Sequence, residues 1–389
     1  MSVVAFTPSQ KFKFKLRRWI QRLHLVTTLI LGLFIAFEIA TGTVLLFWDQ
    51  LEAAFYPQLL QATPSATVNY QGIYTHLRAA YPAWETIEMG NLGEQTAIKV
   101  SLADYDEMEP ERTLYFDPGT GQINGELANP QNILYFVWRL HKNLWLETHI
   151  GAPLLALLAG IPLIVMLLTG LYLWFPRFNT WSAVFRLRRQ NAFLWNYSLH
   201  RLMGIAIALP LLIIVTPMLC GYNLGDAISP VYRRLGLQVV PEPEMVSTPQ
   251  GNAPLPLDRL IQAAQNQYPD GRVTRLYIDD STNPTGVVSV TVELPDHPAR
   301  GAQYADVIGL QLFFEQYTGQ ILATYDPRDW PLLTRLLTGD WMFGLHYGTW
   351  GGVITRTLEA CVGILALCLA WTGIRQWSIK RQLRLQQKR

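Results

Sequence analysis

The sequence predicts a membrane protein, mainly α-helical: a four-transmembrane-helix bundle carrying two external α+β domains, arranged as an internal tandem duplication. Three observations predict it. The 389-residue chain is 50% hydrophobic and 15% charged, and its apolar residues gather into four nearly charge-free runs. Basic and acidic residues are segregated between those runs. A set of short motifs also occurs twice in the same order.

The runs cover about 25–48, 152–175, 202–222 and 353–374. Each is about long enough to cross a hydrocarbon core of roughly 30 Å. The first contains one acid, Glu38, and the last contains Arg356 and Glu359. Pro210 and Pro217 interrupt the third, which membrane helices tolerate when neighbours satisfy the freed carbonyls. The first run lacks a small-residue cleavage site and is too long for a signal peptide, so it reads as a retained anchor.

Lys11, Lys13, Lys15, Arg17, Arg18 and Arg22 precede the first run. Arg177, Arg186, Arg188 and Arg189 fill the link between the second and third. Arg375, Lys380, Arg381, Arg384, Lys388 and Arg389 follow the fourth. Asp104, Asp106, Glu107, Glu109 and Glu111 lie instead in the long segment after the first run. Basic residues mark cytoplasmic flanks. Both termini are therefore expected in the cytoplasm, with the long segments outside. The chain divides into 1–48 (N-terminus and first span), 49–140 (first external domain), 141–176 (second span), 177–199 (cytoplasmic loop), 200–222 (third span), 223–345 (second external domain) and 346–389 (fourth span and C-terminus). Membrane lipid accounts for the basic clusters better than nucleic acid does, and no nucleic-acid partner is expected. Cys220, Cys361 and Cys368 lie in or beside apolar runs, which indicates no disulfide framework. No CxxCH and no strand-borne GxGxxG is present.

The duplication appears in the order of motifs. Tyr81-Pro82 matches Tyr268-Pro269, and Thr120-Gly121-Gln122-Ile123 matches Thr318-Gly319-Gln320-Ile321. Residues 70–80 and 257–267 have helical spacing of apolar residues, whereas 96–102 and 286–294 alternate and are β-branched, as half-buried strands do. TLYFDPGTGQI and LFFEQYTGQIL read as strand, turn, strand, with Gly121 and Gly319 in the turns. Both halves start on the same side, so the repeats run parallel about an axis along the membrane normal.

A histidine behind a leucine opens each half-repeat, and a small turn closes it: Leu23-His24 then Thr41-Gly42, Leu140-His141 then Thr169-Gly170, Leu199-His200 then Thr216 to Gly221, Leu345-His346 then Thr372-Gly373. His24 and His200 belong to the cytoplasmic face, His141 and His346 to the external one. Each face thus offers two imidazoles, one from each half. Bis-histidine ligation suits low-spin haem b used for electron transfer. Two b haems are expected, with His24, His200, His141 and His346 as axial ligands. Any one of these residues alone reads as an interfacial histidine with ordinary hydrogen bonds; four at repeat-related positions favour ligation. His149, eight residues after His141, is the alternative outer ligand. Arg22, Arg139 and Arg201 stand beside ligands and suit haem propionates, although headgroup snorkelling is an equal reading for each. Glu38 suits a proton relay, a quinone headgroup or a hydrogen bond inside the bundle. His76 and His297 read as solvated surface residues. Trp48, Trp138, Trp145, Trp174, Trp195, Trp341, Trp350, Trp371 and Trp377 read mostly as an aromatic belt.

The segments RLHLVTTLILGLF…ATG, RLHKNLW…LLTGLYLWFPR, SLHRLMGIAIALP and GLHYGTWGG…AWTGIRQW, with the two TGQI turns, resemble the PepSY-associated transmembrane family of bacterial inner-membrane proteins. The third span departs from the pattern, with TPMLCG in place of the closing Thr-Gly. Within the family, the likeness is to ferric-siderophore reductases of the ferrioxamine type. That likeness implies periplasmic PepSY-like domains, two b haems on membrane histidines and reduction of ferric chelates on the periplasmic side. The chemistry is consistent: hard oxygen ligands hold ferric iron far more tightly than ferrous iron, so one electron releases the metal. A separate donor, a quinol or a cytoplasmic reductase, must then supply electrons. Arg139 and the loops around Trp341 and Trp350 are the candidate wall for the chelate. The competing readings are a siderophore or iron permease, and a regulatory or interaction membrane protein without redox activity.

Overall fold

The computed structural model describes residues 8–65, 67–92, 96–103, 112–128, 131–175, 185–235, 245–249, 251, 253–278, 280–295, 309–337, 340–349 and 351–387. Arg177, Lys388, Arg389, His297, Trp350 and the acidic residues Asp104, Asp106, Glu107, Glu109 and Glu111 lie outside the described residues. The chain forms two compact units: a helical unit of 1–46, 138–228 and 351–389, and a sheet unit of 47–137 and 229–350.

Among the described residues, four helical stretches in the helical unit are long and apolar enough to cross a membrane: Phe12–Leu45, Thr148–Trp174, Ala192–Asn223 and Gly352–Gln386. All four extend past the apolar runs at one end at least. The first belongs to a helix of 38 residues, Pro8–Leu45 (α1), and measures roughly 57 Å at 1.5 Å per residue. The basic residues ahead of the run therefore continue the helix instead of preceding it. Charged side chains are good helix formers, and beyond the hydrocarbon nothing opposes them.

Two spans carry a π turn. The second span is Thr148–Leu155, a π turn at Ala156–Gly160, then Ile161–Trp174. The third is Ala192–Met218, then a π turn at Leu219–Asn223. Pro162 and Pro217 lie beside these turns, and each removes a backbone donor from the ordinary helical ladder. The helix thus continues through TPMLCG instead of closing there. A Cβ at Gly160 would lie 2.8 Å from Leu219 Cδ1, so the π turns pack where one of them has no side chain. Ile35, Leu163, Leu167, Ile207, Leu211 and Ala366 form the centre of the bundle.

In the sheet unit, eight antiparallel strands form one sheet: β1 Thr86–Gly90, β2 Ile98–Ala103, β3 Arg112–Phe116, β4 Ile123–Ala128, β5 Arg272–Ile278, β6 Val287–Glu293, β7 Leu310–Glu315 and β8 Ile321–Tyr325. Their order is β4-β3-β2-β1-β5-β6-β7-β8. The two expected α+β domains are thus not separate. Strands β1 and β5 join them, with Ile87 opposite Ile278 and Met89 opposite Leu276. Helices Tyr70–Ala80 (α2) and Leu257–Gln267 (α3) lie over the apolar face and bury Ile73, Leu77, Leu260 and Ala264 against it. Their N-termini cap each other: Asp258 accepts from the Tyr70 and Gln71 amides at 3.0 and 2.9 Å, and Gln71 Oε1 accepts from the Leu257 amide at 2.9 Å. Trp48–Phe55 (α4) is pinned by Glu52, 1% exposed, which accepts from Tyr115 Oη at 2.7 Å and pairs with Lys99 Nζ.

Each TGQI turn is built around a carboxylate. Asp117 accepts from the Thr63 amide and hydroxyl and from the Gly119 and Thr120 amides. Glu315 accepts from the Thr248, Tyr317 and Thr318 amides and the Thr318 hydroxyl. Gly121 and Gly319 supply φ of 69° and 73°. Burial pushes both carboxyls up, but the donors around them outweigh it, so both sit below the ordinary values of 3.8 and 4.5. Each cage therefore contributes stability that is complete above those values and is lost as pH falls through the depressed folded value. Glu315→Gln should lower the melting temperature at neutral pH and flatten its decline between about pH 5 and pH 3. An unchanged acid dependence in thermal melts would show that the cage does not hold the turn.

Candidate functional site

Three of the four repeat-related histidines fall in the helical unit, and each meets a Thr-Gly motif on another helix. His24 Nδ1 lies 2.9 Å from Thr169 Oγ1. His141 Nδ1 lies 3.0 Å from Thr41 Oγ1. His200 Nδ1 lies 3.0 Å from Thr372 Oγ1. The first span thus meets the second span at His24 and the helix that precedes the second span at Thr41. The glycine after each threonine faces the ring: a Cβ at Gly42, Gly373 or Gly170 would lie 2.8, 3.3 or 3.5 Å from the Cε1 atom of His141, His200 or His24.

His24 and His200 lie within electrostatic reach of each other. The Nε2 atom of neither makes a hydrogen bond among the described residues, whereas both Nδ1 atoms are engaged. Two imidazoles drawn from different helices, each engaged at Nδ1, have the donor chemistry to offer Nε2 to haem iron. The residues present fit that group. Asn196, 2% exposed and one turn before His200, donates to the Thr372 carbonyl at 2.7 Å. Arg17 Nη2 donates at 2.6 Å to the Leu173 carbonyl at the end of the second span, where orphan carbonyls need donors. In the sequence Arg17 reads only as part of the basic flank, and Asn196 carries no signal beyond its position four before the histidine.

His141 is held differently. It lies on helix Ile133–Asn143 (α5), ahead of the second span and separated from it by a reversal in which Leu144 and Trp145 take φ of 59° and 61°. Its Nδ1 also lies 3.3 Å from Glu38 Oε2. Glu38 is 6% exposed, and neither carboxylate oxygen satisfies hydrogen-bond geometry. His149 is 73% exposed at its side chain and pairs with Glu147 at 3.5 Å. No threonine of the Thr-Gly motifs reaches it among the described contacts. His346 ends helix Asp340–His346 in the sheet unit, its ring 5.6 Å from that of Tyr347.

Of the arginines, Arg22 is exposed. Arg139 donates to the Leu146 carbonyl at 3.2 Å and stands 5.5 Å from the Trp145 ring. Arg201 lies 5.4 Å from the Tyr197 ring, and its buried Nε has no hydrogen-bond partner among the described residues. Trp48 and Trp138 are 2% and 8% exposed, so they are core residues and not part of a belt. His76 is exposed, as expected, with an edge contact to Phe116.

The profile of the PepSY-associated TM region matches residues 21–380 of the chain. The comparison with curated proteins gives no match.

The turn that presents His141 depends on Gly151, where a Cβ would lie 1.9 Å from the Asn143 carbonyl oxygen. Gly204 is the contrast, with its nearest atom at 3.8 Å. Gly151→Ala should cost about 1–3 kcal/mol, the usual range for overpacking. Gly204→Ala should be neutral or mildly stabilising, as helix propensity dictates. Thermal melts of the two variants in detergent decide it, and equal melting temperatures would contradict the assigned close approach.

Proposed function

The chain belongs to the PepSY-associated transmembrane family, and from that membership and the histidine geometry we propose that this multi-pass membrane protein carries electrons across the bacterial inner membrane. Their acceptor is a ferric siderophore on the periplasmic side, whose iron leaves as Fe(II). The observation that carries the reading is the set of imidazoles anchored at Nδ1 by threonines of neighbouring helices, with the Nε2 atoms of His24 and His200 making no hydrogen bond among the described residues. The internal duplication explains why equivalent histidines come from both halves. The basic flanks support cytoplasmic termini, a cytoplasmic level at His24 and His200, and a periplasmic sheet unit.

Two non-covalent b haems would supply a one-electron couple at each level. His24 with His200 would hold the inner one; the order of motifs in the sequence alone assigns His141 with His346 to the outer one. The contacts of His141 with Thr41 and Glu38, against the exposure of His149, favour His141 as the outer ligand. Arg201, with its buried Nε, is the best placed of the arginines to meet a propionate. The levels are set by the first span. From His24 to Thr41 is 17 residues (41 − 24), about 25 Å along the helix. That covers most of a hydrocarbon core of roughly 30 Å. Between the levels, Ile35, Leu163, Leu167, Ile207, Leu211 and Ala366 exclude water.

At the periplasmic face, one electron converts the bound Fe(III) to Fe(II), and the chelate loses most of its hold on the metal. A quinol or a cytoplasmic reductase supplies that electron.

His200→Ala should remove about half of the haem and leave the outer absorption spectrum intact; retention of both haems would refute the inner pairing. For the outer site, His141→Ala should lose haem where His149→Ala does not, and the reverse result would exchange the ligand. The acceptor is tested by stopped-flow mixing of dithionite-reduced protein with ferric siderophore and a ferrous-specific chelator. Wild type should reoxidise and release Fe(II), and His346→Ala should do so much more slowly. A haem-loaded wild type that reduces no ferric chelate would end the reductase assignment.

A further inference from the structure

The Thr-Gly motifs have no role in the electron-transfer reading as it stands, because the histidines alone would ligate iron. Their geometry gives them one. A threonine hydroxyl has a single proton. Thr169 Oγ1 donates it to the Val165 carbonyl at 2.6 Å, with Met166 at 3.1 Å. Thr372 Oγ1 donates to the Leu369 carbonyl at 2.9 Å. Thr41 Oγ1 donates to the Glu38 carbonyl at 2.9 Å, with Phe37 at 3.2 Å. With that proton committed to its own helix, each hydroxyl oxygen can only accept from the imidazole facing it. The facing nitrogen must therefore carry the ring proton, and the lone pair is left on Nε2.

We infer that Thr169, Thr372 and Thr41 are positioning residues that fix the Nδ1–H tautomer of His24, His200 and His141, aim Nε2 at the iron and tune its potential. The inference rests on the haem reading. A hydroxyl accepting from Nδ1–H gives the ring more imidazolate character and makes it a stronger donor to ferric iron. The acceptor therefore holds the potential down, as a reductant needs. The device is exchanged between spans, so ligand orientation and helix packing stand or fall together. The following glycine completes it by letting the ring lie against the helix backbone, most strictly at Gly42, where an added Cβ would come within 2.8 Å of His141. Thr216 is followed by Pro217 where the other three motifs have glycine, which marks the fourth position as different.

The test uses full-length, haem-loaded protein with Thr169→Val, which keeps the shape and loses the acceptor, and Thr169→Ser, which keeps the acceptor. The readouts are a potentiometric titration that resolves the two haems and the low-spin electron paramagnetic resonance g-values. Thr169→Val should shift the inner couple about tenfold toward the ferrous form, 59 mV upward for one electron. The outer couple should stay in place, and Thr169→Ser should behave as wild type. Loss of the inner haem in Thr169→Val but not in Thr169→Ser would support the same conclusion. An unchanged inner potential and unchanged g-values in Thr169→Val would overturn it, as would equal loss of haem in both variants. A wild type without any Soret band would fail earlier, at the haem reading itself.

Discussion

The helical unit depends on a hydrogen bond made inside the apolar slab, from a histidine ring on one span to a threonine on its antiparallel neighbour. A polar group there has no water to fall back on, so its partner must come from the protein. Interhelical hydrogen bonds of this kind average only about 0.6 kcal/mol each. Their value lies in register more than in strength. The first and second spans are tied by His24 to Thr169, the third and fourth by His200 to Thr372, and the helix ahead of the second span is tied to the first by His141 to Thr41. Each contact opposes a slide by a turn. The same contacts decide which imidazole nitrogen faces the interior, so the packing of the bundle and the chemistry of its site share one set of atoms.

The sheet unit solves a different problem. Four antiparallel strands with one helix leave a flat edge of unpaired backbone groups at each side. Joining β1 to β5 removes two of those edges and merges the apolar faces of both halves into one core, from Leu102 and Leu114 to Val290 and Leu312. The seam is reinforced by Glu88 against Arg275 at 3.2 Å on the opposite face. Above the sheet, Asp258 and Gln71 satisfy the helix ends. A continuous eight-stranded sheet is stiffer than two small ones.

Much of this could be read from residue patterns, and what could not has identifiable causes. Helices 70–80 and 257–267 follow from their apolar spacing, and both TGQI turns from the glycines that take positive φ. Strand β1 escaped because five residues carry only two apolar positions, and β5 because Thr274 and Arg275 break its alternation at a register shift; their pairing joins residues nearly two hundred positions apart. The spans are longer than their apolar runs because helix continues into charged sequence once water is available. The histidines stood out through repetition. The role of the Thr-Gly motifs did not, since the facing partners are 145, 100 and 172 positions away. Trp48 and Trp138 looked like belt residues because tryptophan near a span end carries no sign of which way it points.

The central claim is that these imidazoles are haem ligands, and everything proposed about electrons rests on it. A pyridine haemochrome assay combined with a reduced-minus-oxidised absorption spectrum of the purified wild-type protein tests it most directly. The account predicts two extractable b haems per chain and the sharp, resolved α band of six-coordinate low-spin iron. A protein that folds fully, is supplied with haem during expression and still shows no Soret absorption would contradict it.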